Sequence, residues 1–562
     1  MRWTLKPIPD NHLIVNLSKD LNIDTELATL LVQRGIETYE QAKYFFRPSL
    51  SDLHNPYLMK DMEKAVSRIE KAIIAQEKIM VYGDYDVDGT SSVALVFTYL
   101  SQFTNLVTTY IPDRYGEGYG ISYQGIDYAS DNEISLIIAL DCGIKEAAKV
   151  KYATEKNIDF IICDHHLPGE EIPKAIAVLN PKQLDCEYPY KELCGCGVGF
   201  KLIQAIAEKK HQTIDDLFPL LDLVATAIAA DIVPMDGENR ILAYFGLKQI
   251  NSNPRPGIKA LIYQNKKELT ITDVVFQIAP RINAAGRMKH GNYAVELLIE
   301  NDFETALTFA EAIEIYNTDR RVADKEITEQ AIQQIIKNDE EHKNATVVFN
   351  KNWHKGVIGI VASRLIETYY RPTIVFTESN GLYVASARSV NGFDLYNAIE
   401  KCADLLVQFG GHTHAAGLAL LPENYQLFKD KFESVVTSII HKNSKTPEIL
   451  IDLEIDLATI TPKFYRILKQ LEPFGPANMK PIFLSTGLRD NGYGKPVGAE
   501  GNHVKLSIIN GADSKTYNAI GFDLADKYAQ TNGSFQSVYT IEENHWNGNT
   551  SLQLMLKDIK GE

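Results

Sequence analysis

No apolar stretch in this sequence reaches the roughly 18 residues that cross a bilayer. The start, Met1-Arg2-Trp3-Thr4-Leu5-Lys6-Pro7, has neither an apolar signal core nor a small-residue cleavage site. The expected location is therefore cytoplasmic, with no membrane contact. Cysteine is scarce: Cys142, Cys163, Cys186, Cys194, Cys196 and Cys402 are scattered over the chain. Two of them end apolar, strand-like runs, so they read as buried thiols and not as a disulfide framework. Cys194-Gly195-Cys196 lacks a second pair at zinc-ligand spacing, which leaves zinc binding there as the lesser reading. A G-x-S-x-G elbow and a G-x-x-x-x-G-K-[ST] loop are also missing, which weakens acyl-transfer and P-loop readings. Basic residues are in deficit, with 57 Lys and Arg against 73 Asp and Glu and a net charge of −16. That speaks against general coating of nucleic acid, because phosphate contacts need Lys and Arg. It does not exclude a nuclease: carboxylates that hold cations add formal negative charge, and a narrow basic channel can lie on an acidic body.

What is present is a globular balance, 45% hydrophobic and 23% charged over 562 residues, enough for three or four domains. Residues 1–60 are mixed and helix-prone. From Lys78 short apolar runs alternate with helical patterns. Strands are predicted at 79–82, 107–111, 136–140, 160–163 and 175–179, with a helix from Thr90 to Leu100. This alternation predicts an α/β fold, a mostly parallel sheet covered on both faces, over residues 61–300. Residues 302–338 predict a long helix with Ile327, Ala331, Ile332, Ile335 and Ile336 on one stripe, a connector placed at 301–340. A smaller α/β domain follows at 341–445, with strands at 345–349, 373–376 and 383–385. The segment from His441 to Pro447 reads as a linker. Short alternating runs and turns such as Asn491-Gly492-Tyr493-Gly494 and Asn547-Gly548-Asn549 then predict a small β-barrel over 446–562.

The chemistry concentrates at strand ends. Asp84, Asp86 and Asp88 fall within five residues, after a strand and at the opening of a helix. Such a turn is costly to fold unless cations or protons neutralise it. Alternate oxygen donors in an extended turn suit hard divalent ions. Asp141 ends the next long strand, and Asp164-His165-His166 ends the one after it. In open α/β sheets sites form at the carboxyl ends of strands, so three strands deliver acids and imidazoles to one edge. Asp231, after the apolar run 223–228, is poorly placed for simple solvation. The combined oxygen and nitrogen donors suit two manganese or magnesium ions. Two such ions about 3.5–4 Å apart can clamp a phosphate and activate water without a side-chain nucleophile.

These residues resemble the DHH phosphoesterase superfamily. Asp84-Tyr85-Asp86-Val87-Asp88-Gly89 matches its first motif, Asp141 its second, Asp164-His165-His166 its third and Asp231 its fourth. Further segments resemble the RecJ family of single-strand-DNA exonucleases within it: Arg114-Tyr115-Gly116-Glu117-Gly118-Tyr119-Gly120, the run from Pro280 to Met288, the run from Trp353 to Gly359, Ser386-Ala387-Arg388-Ser389 and the run from Phe409 to Gly417. The resemblance implies DHH, DHHA1 and OB-fold domains. It implies 5′-to-3′ removal of nucleotides from single-stranded DNA with a free 5′ end, in repair and recombination. It also implies two divalent ions, manganese first and magnesium second. The partners it implies are a single-strand-binding protein and a helicase, around a monomeric enzyme.

By the same resemblance Asp86 binds one ion, Asp88, His165 and Asp231 bind the other, and Asp141 lies between them. Asp164 orients the histidines, and His166 faces the scissile phosphate. Small-substrate relatives carry a histidine where this chain has Tyr82, a poor ligand, and Asp84 is expected to stand in for it. For the substrate, Gly410, Gly411, His412 and His414 offer close backbone approach and donors to a phosphate. Ser386 and Arg388 alternate on a strand and suit a terminal phosphate, with Arg114 joining them from its glycine- and tyrosine-rich loop. Arg281, Asn283 and Arg287 are placed to follow a DNA backbone. Tyr115, Tyr119 and Trp353 are candidate stacking surfaces. Two other readings remain at this point, a hydrolase of cyclic dinucleotides or very short oligonucleotides, and a non-catalytic replication scaffold. The tail after residue 446 argues against the first, and four intact motifs argue against the second.

Overall fold

The computed structural model describes the whole chain except residues 266, 511–514, 532 and 547 and the side chain of Trp546. Asn547 of the expected 547–549 turn is therefore outside the described residues. The chain divides into two compact units. One comprises Leu53–Val233 and Gly237–Pro447, the other Met1–Asp52, Pro234–Asp236 and Glu448–Glu562.

The first unit begins with a five-stranded parallel sheet in the order Val107–Tyr110, Lys78–Gly83, Ile134–Leu140, Asp159–Cys163, Ala177–Leu179. The central strands are buried on both faces, so residues such as Leu136, Ile137, Ile138 and Ala139 are all solvent-free. That is why they read as continuous apolar runs and not as alternating ones. The helix after the first strand runs Val87–Leu100, three residues earlier than predicted. Asp86 caps it by accepting the Gly89 N–H at 3.0 Å, and Asp88 lies in its first turn, where a negative charge meets the positive helix end. Of the three acids only Asp88 is thus helical; Asp86 caps the helix and Asp84 precedes it.

A helix of 35 residues, Phe303–Lys337, follows the helical part of this domain. Ile327, Ala331 and Ile335 on it pack against Val348, Trp353, Val361 and Leu365. The second sheet has five strands in the order Gln408–His412, Ala415–Leu420, Leu382–Arg388, Thr373–Ser379, Thr346–Phe349. Only the last pair is parallel. Both sheets and the helix belong to the same unit.

In the other unit seven strands from Leu453 to Gly561 form a sheet that closes on itself, because Phe483–Asp490 pairs both with Phe535–Trp546 and with His503–Asn510. Its core includes Leu27 and Leu30 from the N-terminal helices beside Phe464, Phe483 and Tyr539. The Arg2–Leu5 strand pairs in parallel with Glu448–Ile451. Among the described residues no helix is long and apolar enough to cross a membrane. All six cysteines are buried and unpaired. Cys194 instead caps a helix, accepting the Gly197 N–H at 3.3 Å.

Candidate active site

The acids gather at the carboxyl edge of the parallel sheet. Asp84 follows the Lys78–Gly83 strand, Asp141 follows Ile134–Leu140, and Asp164 follows Asp159–Cys163. Asp231 is the last residue of the Leu221–Asp231 helix. Donor atoms of Asp88, His165 and Asp231 lie within 4.8 Å of one another, as do those of Asp84, Asp86 and Asp141, and those of Asp141, His165 and His166. His165 Nε2 is 3.2 Å from Asp141 Oδ1, 3.6 Å from Asp231 Oδ2 and 3.9 Å from Asp88 Oδ2. Asp84, Asp88, Asp141, Asp164 and His165 are all buried.

The electrostatics follow from that crowding. Burial and then the charge of Asp86 push the Asp88 carboxyl up to about 7. Burial and the charge of Asp88 push Asp231 up to about 9. Asp84 and Asp141 are driven well above the usual carboxylate range, by burial first and neighbouring carboxylates second. Burial holds His165 down at about 3, so its ring is neutral and keeps a lone pair for a cation. Asp164 goes the other way: its burial is outweighed by the His166 ring at 2.7 Å and by main-chain N–H donors from Ile144, His165 and His166, which hold it at about 2. Tyr82 is turned to the apolar side of the sheet, where its hydroxyl donates to Gly120 O at 2.8 Å.

Both oxygens of Asp84, Asp141 Oδ1, Asp231 Oδ2 and His165 Nε2 are buried without a hydrogen-bond partner. Unpaired buried acceptors are expensive. Carboxylate and imidazole donors converging in three groups, of which Asp141, His165 and His166 link the other two, are the set that divalent manganese or magnesium takes. The residues fit such ions.

A second cluster is cationic. Arg114 lies over the Tyr85 ring, 4.6 Å from its centroid. Arg287 donates through Nη1 to Gly356 O at 3.0 Å, and Tyr115 donates to Arg287 O. Burial, then Arg114 and Arg388, bring the Arg287 guanidinium down to about 10. Burial and Arg114 lower Arg388 as well. Gly359 opens the Ile358–Thr368 helix beside this group. A Cβ there would stand 3.0 Å from Arg388 Nη2 and 3.2 Å from Ser386 Oγ. An Arg fork, a hydroxyl and a helix N-terminus are groups whose chemistry suits a phosphate.

Models of known families match three stretches: the DHH family N-terminal domain at 78–228, the DHHA1 domain at 342–438 and the RecJ OB domain at 451–558. The single-stranded-DNA-specific exonuclease RecJ of Bacillus subtilis (strain 168) is 36% identical over 99% of this chain and 70% of its own length. The RecJ of Escherichia coli (strain K12) is 31% identical over 89% and 90%. The chain belongs to the RecJ family. The crystal structure of RecJ in complex with Mn2+ from Thermus thermophilus superposes with a TM-score of 0.87 at 26% identity, covering all of this chain and 80% of that one. A magnesium complex from the same source gives a TM-score of 0.80 at 25% identity, covering all of this chain and 78% of that one.

Against that RecJ frame the expected site residues separate. Asp84, Asp86, Asp88, Asp141, His165, His166 and Asp231 lie together. Asp164 holds the ring of His166 but only the main chain of His165. Arg114, Arg287, Arg388 and Ser386 lie together, and Asn283 is one turn before Arg287 on the Ala279–Met288 helix. Arg281 stands apart: Glu314 takes its Nε and Gln277 O its Nη1, both at 2.5 Å. Gly410, Gly411, His412 and His414 form the hairpin end beside Arg388, whose charge lowers His412 after burial and His414. Trp353 is buried, its Nε1–H donating to Gln330 at 2.8 Å, and offers no stacking face.

Two groups escaped the sequence reading. Gly195 and Cys196 N–H donate to Asp88 Oδ2 and Oδ1 at 2.6 and 2.7 Å. A glycine pair opening a helix was the available signal. The other is the hydroxyl of Tyr119, seen before only as a ring.

Proposed function

We propose that this chain is a metal-dependent exonuclease that removes nucleotides from single-stranded DNA in the 5′-to-3′ direction. The observation that carries the reading is the convergence of Asp84, Asp86 and Asp141 beside Asp88, His165 and Asp231, with both oxygens of Asp84, Asp141 Oδ1, Asp231 Oδ2 and His165 Nε2 left unpaired. Two divalent ions bound there, manganese first and magnesium second, supply Lewis acidity toward the phosphate and lower the pKa of water. The protein's own groups do the rest. Gly195 and Cys196 fix both oxygens of Asp88. Asp164 fixes His166, which faces the scissile phosphate. Arg114, Arg287, Ser386, Arg388 and the 410–414 hairpin hold the 5′-terminal phosphate and set the register of the cut. Family membership supports a role in DNA repair and recombination, a cytoplasmic location, and a monomer working beside a single-strand-binding protein and a helicase.

Single strands labelled at the 5′ or the 3′ end test the reading. With Mn2+ the 5′ label is expected to leave at once as mononucleotide, the 3′ label to leave last, and EDTA to stop both. Early loss of the 3′ label, or an intact 5′ label after long incubation, overturns it.

A further inference from the structure

Tyr119 sits at the rim of the carboxylate cluster on a loop that is fixed by its own hydrogen bonds. Asp113 accepts the Tyr115 and Gly116 N–H groups at 3.0 and 2.6 Å, and its main-chain oxygen accepts the Glu117 N–H at 2.8 Å. Gly118 and Gly120, at φ of 90° and 76°, turn the chain sharply on either side of the tyrosine. The residue is 50% exposed, so core packing does not account for its place. Its hydroxyl is what is held: it lies 3.2 Å from His166 Nε2 and donates to the main-chain oxygen of Asp141 at 3.3 Å. The same ring stands edge-on to His166 and to Tyr85, with centroids 6.1 and 6.3 Å away.

We propose that Tyr119 is a positioning residue for the reaction, holding the His166 imidazole from its Nε2 side while Asp164 holds it from the Nδ1 side. The inference rests on the exonuclease reading and adds a residue to it. A histidine gripped at both nitrogens cannot swing, so the ring is already in place before substrate binds. The hydroxyl proton goes to Asp141 O and the hydroxyl oxygen accepts the Nε2–H of His166, which makes the grip exchangeable. When a phosphate oxygen takes over the Nε2 hydrogen bond, the tyrosine hydroxyl keeps its bond to Asp141 and no polar group is left unpaired. Stacking of a base on the exposed ring is the competing role, and it needs the ring but not the hydroxyl.

Tyr119→Phe separates the two, because it keeps the ring and removes only the oxygen. Cleavage of 5′-phosphorylated single-stranded DNA is compared for wild type, Tyr119→Phe, His166→Ala and the double variant, with Mn2+ affinity measured alongside by calorimetry. Loss of an orienting partner is expected to lower kcat about 10- to 100-fold. KM is expected to stay within about twofold, since ground-state binding is untouched, and Mn2+ affinity to stay unchanged. Because Tyr119 acts through His166, the double variant is expected to be no slower than His166→Ala alone. Wild-type kcat in Tyr119→Phe, a change confined to KM, or a further multiplied loss in the double variant overturns the proposal. Should His166→Ala fall below detection, a crystal structure of Tyr119→Phe decides: a displaced or split His166 ring is expected, and an unchanged single rotamer refutes it. Failure of the wild type to cut single-stranded DNA would remove the exonuclease reading instead.

Discussion

Gly195 shows how much of an active site can rest on a missing side chain. A Cβ at that position would stand 2.6 Å from Asp141 Cβ and 2.7 Å from its Oδ1. Neither can move far, since Asp141 is buried and its main-chain N–H is bonded to Cys163 O. Gly195→Ala should therefore push the Asp141 carboxylate aside at a local cost of about 1–3 kcal/mol. Calorimetry should show Mn2+ affinity weakened about 10- to 100-fold, with circular dichroism unchanged. Wild-type affinity would show that Asp141 is not a ligand. Asp84, Asp86, Asp141, His165 and Asp231 were legible as candidates in the sequence because an acid or imidazole behind an apolar run has no cheap reason to be there. Gly195 was not, because its role depends on a helix end meeting Asp88 across 107 residues of chain. The partner of Arg281 was not legible either: it was read with its neighbours in sequence, and Glu314, which pairs with it, comes from the long helix.

The helices and strands were legible where one period governed a whole element. The stripe of Ile327, Ala331 and Ile335 carried the long helix, and the apolar runs carried the central strands. Boundaries shifted where capping chemistry decided, as at Asp86. What no periodicity reveals is how the helix carrying Gly195 is anchored. Lys201, two turns into it, is wholly buried, and its ammonium donates to Glu238 at 3.0 Å and to His54 O at 2.7 Å. Glu238 also accepts from the Tyr188 hydroxyl at 2.5 Å. Burial lowers the Lys201 pKa although Glu238 works to raise it, which marks an ion pair with little water around it. Lys201→Met strands the Glu238 carboxylate in that interior, at a cost of about 3–5 kcal/mol. Denaturant unfolding should register that loss, and adding Glu238→Gln should recover part of it, since no charge is then left alone. A single variant as stable as wild type would mean that water enters this region and the pair anchors nothing.

At the scale of the whole molecule the ends of the chain belong together. Composition placed 1–60 and 446–562 as separate regions, because a local pattern carries no information about which distant segment completes a core. Leu27 and Leu30 are fully buried in the same cluster as Phe464 and Leu506. Trp3 Nε1 donates to Asp558 at 2.9 Å, and Lys6 pairs with Asp452 at 2.7 Å. Arg34 donates to Asn478 and Met479 O. The barrel is therefore finished by residues about four hundred positions before it in the sequence, and its core closes only when both segments exist. A fragment of residues 448–562 alone lacks those two leucines, each worth about 1.5–3 kcal/mol on burial, and leaves apolar surface open. It should be molten or aggregated, with dye binding and poor dispersion in NMR spectra. Adding a peptide of residues 1–52 should restore cooperative unfolding. A well-folded, cooperatively melting 448–562 fragment without the peptide would show that the barrel closes its core unaided and that the N-terminal helices merely rest upon it.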